Sequence, residues 1–186
     1  MKTQFRDHFS AHADAVGRTI EHLDGPVASA AVALVERLRN GGKVLAFGNG
    51  GSSAEASHFA EELVGRFRKN RRPLPAISLS SDSGTVTCIA NDFGYETLFE
   101  RQVEAFAQAG DVAVALTTSG KSENVLRGLR AARSRGALTI ALTGEAGLVG
   151  ADADHVIAIP SADTAIIQEI HLMIIHCFCL AVEAAF

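Results

Sequence analysis

The 186 residues include only three cysteines, no run of about 18 uninterrupted apolar residues and no long basic stretch. Each shortage excludes something. Three cysteines cannot all pair, and Cys177 and Cys179 sit in an apolar run of helical appearance, so no disulfide framework is expected. The thiols read as small buried residues rather than ligands. Without a long apolar run no membrane span is expected, and Met-Lys-Thr-Gln-Phe-Arg-Asp-His at the start lacks the apolar centre of a signal peptide. The default expectation is a cytoplasmic protein with no membrane partner. A formal net charge of −4 argues against general nucleic-acid binding. Arg66, Arg68, Lys69, Arg71 and Arg72 form a local basic cluster whose simplest reading is a solvated loop. No internal repeat, low-complexity tract or linker divides the chain.

What is present, 47% hydrophobic and 20% charged residues, suits a single globular domain over 1–186. Residues 1–40 read as two helices. Phe5, Phe9, Ala13, Val16 and Ile20 repeat at helical spacing, Val27 to Leu38 forms a second run, and Gly25-Pro26 divides them. From 41 to 186 the period changes. Lys43 to Phe47, Pro75 to Leu79, Asp111 to Leu116, Leu138 to Leu142 and His155 to Ile159 are short apolar runs with helical stretches between most of them. Strands buried on both faces have this pattern, so the expected fold is α/β: a five-stranded parallel sheet flanked by helices. Ile166 to Val182 then reads as a long apolar C-terminal helix, interrupted by Gln168, Glu169, His171 and His176, polar groups that need partners.

Open parallel sheets collect ligands beyond the carboxyl ends of their strands, and two loops there suit anions. Gly48-Asn49-Gly50-Gly51-Ser52-Ser53 offers backbone N–H groups with little steric cover, and Ser52 or Ser53 can cap the following helix. Thr117-Thr118-Ser119-Gly120-Lys121-Ser122 presents four hydroxyls before a helix that starts near Glu123. Neither loop is a nucleotide motif. A P-loop ending in Gly120-Lys121-Ser122 needs glycine where Ala115 stands, and a dinucleotide fingerprint from Gly48 needs glycine at Ser53. His58 and Glu62, four apart, share a helix face and can meet one ion or one substrate. Taken singly, each is an ordinary structural or solvated residue. Glu61 lies about 100° round the helix from Glu62, where a solvated or ion-paired role is expected.

In this order, Gly48-Asn49-Gly50-Gly51-Ser52, His58-Phe59-Ala60-Glu61-Glu62, Ala90-Asn91-Asp92-Phe93-Gly94, Thr118-Ser119-Gly120-Lys121-Ser122 and Gln168-Glu169-Ile170-His171 resemble the sugar isomerase (SIS) family. Within it they resemble the phosphoheptose isomerase branch, over nearly the whole chain. The resemblance implies an aldose–ketose isomerisation, sedoheptulose 7-phosphate to D-glycero-D-manno-heptose 7-phosphate, through an enediol, in heptose synthesis for bacterial surface polysaccharide. It also implies one zinc ion per subunit and a homotetramer with active sites at subunit contacts.

Carried over by residue, it implies Glu62 as base and His176 as partner acid/base, with His58, Glu62, Gln168 and His176 around the metal. Asn49, Gly50, Gly51, Glu62, Asn91, Asp92, Thr117, Thr118, Ser119, Ser122 and Gln168 would touch substrate, the hydroxyls holding phosphate and Asn91 and Asp92 the sugar. Spacing leaves one choice open. Gln168 and His176 are about 12 Å apart along an ideal helix, whereas His171 is the nearer partner of Gln168. The resemblance favours His176. Many relatives carry a basic residue where this chain has Ile166, and a serine where it has Thr117. Two alternatives remain: a noncatalytic SIS-domain regulator of replication initiation, and an SIS isomerase of another sugar phosphate.

Overall fold

The computed structural model describes residues 1–186. Helix α1 (Lys2–Arg39) leads into β1 (Val44–Gly48), α2 (Gly51–Val64), β2 (Ala76–Ser78), α3 (Ser83–Phe93), a 3-10 turn (Tyr95–Thr97) and α4 (Leu98–Phe106). There follow β3 (Val112–Thr117), α5 (Glu123–Ser134), β4 (Leu138–Thr143), β5 (His155–Ala158) and α6 (Thr164–Ala185). The five strands pair in the order β2-β1-β3-β4-β5, all parallel. The five expected strands are those observed.

Every residue of β1, β3 and β4 is buried, while the edge strands β2 and β5 are partly exposed. Central strands covered on both faces lose the polar alternation of a half-exposed sheet, hence their unbroken apolar sequences. Along β1 the side chains alternate between layers. Val44 and Ala46 join α1, α2 and α6 in one core, whereas Leu45 and Phe47 join α4 and α5 in the other. The smaller core is tight: a Cβ on Gly128 would lie 2.9 Å from both Phe47 and Phe99, so α5 can approach β1 only through glycine at that point.

One expectation fails. Residues 2–39 form a single helix with Pro26 inside it, not a pair broken at Gly25-Pro26. A proline ring restricts the preceding residue mainly through that residue's Cβ and N–H, and Gly25 has no Cβ. The hydrogen bond that Pro26 lacks falls where Asp24, Gly25 and Pro26 are exposed, so water can satisfy the freed carbonyl.

Helix α6 is long and apolar enough to cross a membrane by length and composition, with a mean hydropathy of 1.9, yet half of that window is buried inside this protein. It packs against α1 and α2. Its thiols differ: Cys179 is buried and its pKa is pushed up to about 12, chiefly by that burial, whereas Cys177 is exposed rather than buried as expected.

Candidate active site

In the order β2-β1-β3-β4-β5 the chain leaves β1 in one direction and β3 in the other, so the loops after these neighbouring strands part and open a crevice. The expected phosphate loop lies there. Thr117, Thr118, Ser119 and Ser122 line a cavity of ≈ 190 Å³ together with Asn49 from the loop after β1, Ser52 from the first turn of α2, and Thr164 and Gln168 from α6. Leu116 is its single apolar wall residue.

Glycine is required at defined points of this frame. Gly50, at φ 56, caps α2 without any side-chain hydrogen bond, so neither Ser52 nor Ser53 caps the helix as expected. Ser52 instead faces the cavity. Gly120 has φ 64, and a Cβ there would overlap the carbonyl oxygen of Gly147. Gly144 N–H donates to Thr118 O at 3.2 Å and Val149 N–H to Gly120 O at 3.0 Å, locking the loop after β3 to the turn after β4.

A Cβ on Gly51 would meet the Gln168 amide at 2.5 Å, the free end of a long side chain. Gly51→Ala is therefore expected to leave the melting temperature within a few degrees of the parent, while driving Gln168 out of the cavity wall. The check is a thermal melt paired with the Gln168 side-chain amide resonance. An unmoved resonance would contradict the close approach.

Beyond the cavity, α2 and α6 bring three titratable side chains together. His58 Nε2 lies 3.2 Å from His176 Nε2 and 3.3 Å from Glu62 Oε1. Ligand atoms of all three residues fall within 4.8 Å of one another. Metal–nitrogen bonds of about 2.0–2.1 Å at tetrahedral angles put neighbouring donors about 3.3 Å apart, so this His, Glu, His set fits a metal ion. His58 Nδ1 faces Glu61 Oε2 at 3.4 Å, which turns Nε2 towards the cluster. Glu61 is otherwise exposed, within the solvated or ion-paired role expected of it. The Phe67 ring stacks on His176 at 5.1 Å between centroids.

His171 points elsewhere. It is completely buried, with Nε2 3.2 Å from the Thr143 carbonyl oxygen and Nδ1 without a protein partner. A carbonyl oxygen only accepts, so Nε2 carries the proton, and burial pushes the imidazole pKa down to about 4. Five residues on an α-helix turn it by about 140°, enough to send His171 to the sheet and His176 to α2.

Some expected residues stay apart from this group. Asn91 and Asp92 are exposed on the last turn of α3, hydrogen-bonded to each other at 2.7 Å, and line no part of the cavity. Ile166 is buried in the larger core, so the position lacking a basic residue does not face the cavity. Of the basic cluster, Arg66 is exposed and bonds Asn70, as a solvated loop residue would. Arg71 departs from that reading: its guanidinium donates to the carbonyl oxygens of Glu62 and Leu63, at 2.5 and 2.8 Å, and holds the C-terminal turn of α2.

Sequence reasoning missed Asn124, Tyr95, Phe67 and Glu55. Glu55 is desolvated one turn before His58, which raises its pKa to about 7. Its place at Glu62 minus seven, on the same stripe of α2, was the available signal.

Comparison with known proteins agrees with this geometry. A family model described as "SIS domain" matches residues 7–144. A protein named phosphoheptose isomerase from Aquifex aeolicus is 55% identical over 147 residues, 78% of this chain and 77% of that one. Another of that name, from Aliarcobacter butzleri, is 43% identical across 98% of this chain and 97% of its own length. The solved structure of a phosphoheptose isomerase from Francisella tularensis superposes with a TM-score of 0.93 at 37% identity, covering 98% of this chain and 97% of that one. With the family model matching residues 7–144 and relatives of this identity covering most of both chains, the chain belongs to the SIS domain family and, within it, to the phosphoheptose isomerases.

Proposed function

We propose that the protein converts sedoheptulose 7-phosphate to D-glycero-D-manno-heptose 7-phosphate, in the cytoplasm, for heptose and surface polysaccharide synthesis. The observation that carries this reading is the span of the site. Ser52 and Gln168 line the cavity, and both helices run from it to the cluster. The rise is about 9 Å along α2 from Ser52 to His58 and about 12 Å along α6 from Gln168 to His176. A sugar with phosphate at one end and a carbonyl near the other, separated by most of a seven-carbon chain, suits that distance.

In this reading Thr117, Thr118, Ser119 and Ser122 hold the phosphate by hydroxyl and backbone donors, and Gly50 and Gly51 let the sugar approach the chain closely. Asn49 and Gln168 supply amide groups beside it. Glu62 takes a proton from C1 of the ketose while His176 gives one to the C2 oxygen, forming the enediol. Glu62 then returns its proton to C2 as the C1 oxygen loses its own to His176. His58, Glu62 and His176 would hold one zinc ion per subunit, which would supply positive charge to polarise the carbonyl oxygen, while Gln168, expected as a fourth ligand, lies with its amide against Gly51 in the cavity wall. Asn91 and Asp92, which do not line the cavity of their own chain, serve the sugar hydroxyls in a homotetramer whose sites lie at subunit contacts.

Incubation of the purified protein with sedoheptulose 7-phosphate, with and without added zinc, is expected to yield the aldose phosphate, faster with zinc. Absence of product in both arms sinks the proposal. The assembled acid/base cluster favours an enzyme over a noncatalytic regulator, and turnover of a different ketose phosphate in the same assay would identify another sugar as substrate.

A further inference from the structure

Asn49 lines the substrate cavity, yet most of its amide is already engaged. Its Nδ2 donates to Asn124 Oδ1 at 2.9 Å, and its Oδ1 accepts from Asn124 Nδ2 at 2.8 Å and from the Tyr95 hydroxyl at 2.9 Å. A pair of facing amides can be turned over together without losing either bond, so the pair alone does not set its own direction. The backbone does. Asn124 Oδ1 also accepts the N–H of Val125 at 3.0 Å, and a backbone N–H can only donate. This fixes the oxygen of Asn124, which fixes the nitrogen of Asn49, which leaves the Asn49 oxygen to accept from Tyr95. One N–H of Asn49 remains uncommitted.

We infer that Asn124 is a positioning residue, and Tyr95 its second brace, which together make Asn49 act towards the cavity as a hydrogen-bond donor only. The inference rests on reading the cavity as the sugar-phosphate site and deepens it: the ligand atom facing Asn49 is an acceptor, a phosphate or carbonyl oxygen. Asn124 is suited to the task because it is buried, at 3% exposure, beside the N-terminus of α5. Tyr95 is half-exposed, so its hydroxyl can be removed without opening the core.

The test is a double-mutant cycle read as KM and kcat for sedoheptulose 7-phosphate, with its dissociation constant measured by calorimetry. Asn124→Ala is expected to raise KM about tenfold and Tyr95→Phe about threefold, with smaller changes in kcat. In an Asn49→Ala background each is expected to add nothing, because a residue acting through Asn49 has no effect once Asn49 is gone. Effects that persist undiminished in that background overturn the inference, as does a folded Tyr95→Phe protein with unchanged KM. If Asn124→Ala fails to fold, the Tyr95→Phe cycle decides. A parent protein that binds the sugar phosphate without isomerising it sinks the proposed reaction and leaves the cycle readable in dissociation constants. No binding by the parent overturns both.

Discussion

Glu62→Gln is expected to fold as the parent does and to lose isomerase turnover by about a thousandfold, the scale of a positioned general base. The side chain is nearly enclosed, with 11% of it exposed, and sits 3.3 Å from His58 Nε2. Glutamine matches the shape and keeps a carbonyl oxygen for a metal, but it has no carboxylate to accept the C1 proton. Metal content measured on the same sample therefore separates two roles. Metal retained with turnover gone assigns the base; metal and turnover lost together make Glu62 chiefly a ligand. A rate within tenfold of the parent would remove Glu62 from the chemistry, while an altered circular dichroism spectrum would mark a folding defect instead.

The two histidines of α6 should give opposite results. His176→Ala is expected to lose bound metal and turnover with little change in stability, because His176 is only half-buried and its neighbours are His58 and Phe67. His171→Ala is expected to keep metal per folded molecule and to lose about 3 kcal/mol of stability, through a cavity against β4 and the loss of one of the two hydrogen bonds to the Thr143 carbonyl, which keeps that from Ile159 N–H. Loss of metal only in the His171 variant would reverse the assignment.

The same histidine gives the parent protein a pH dependence. Its folded pKa is about 4 against an ordinary 6.5, so below pH 6.5 the unfolded chain binds a proton that the folded one refuses. Its contribution to stability is full above pH 6.5 and falls by about 3 kcal/mol as pH drops to about 4, while Glu55, with its pKa raised to about 7, acts in the opposite sense over much of the same range. Denaturant titrations should show the parent losing about 3 kcal/mol relative to His171→Leu as pH falls through this window, Glu55 being common to both. A difference between parent and variant that stays level between those pH values would contradict the neutral, buried imidazole.

These contrasts mark where the sequence could be read and where it could not. The strands were legible because burial on both faces writes itself as Val-Leu-Ala-Phe or Val-Ala-Val-Ala-Leu, and the two anion loops because glycine and hydroxyl residues cluster there for local reasons. His58 and Glu62 were legible because four residues on a helix are neighbours in any fold. The choice between His171 and His176 was not, since which side of α6 meets the sheet depends on packing against α1, α2 and β4. The Asn49–Asn124 pair joins the loop after β1 to the first turn of α5, 75 residues apart, and leaves no periodic trace in either. Pro26 misled because its usual effect on a helix was cancelled by the glycine before it and by its exposure to water.

The contact of Gly120 with the Gly147 carbonyl means that the proposed phosphate loop and the turn after β4 behave as a keyed joint. Each is cut to the other's shape, with two backbone hydrogen bonds as its pins. Neither half can drift alone: a longer turn at 144–150 would shift the hydroxyls of 117–122 without altering any of them. On the proposed reading of the cavity, a change of length at 144–150 is expected to alter substrate preference from a segment that carries none of the proposed substrate-binding residues, and transplanting the loop at 117–122 into another SIS domain is expected to require moving both pieces together.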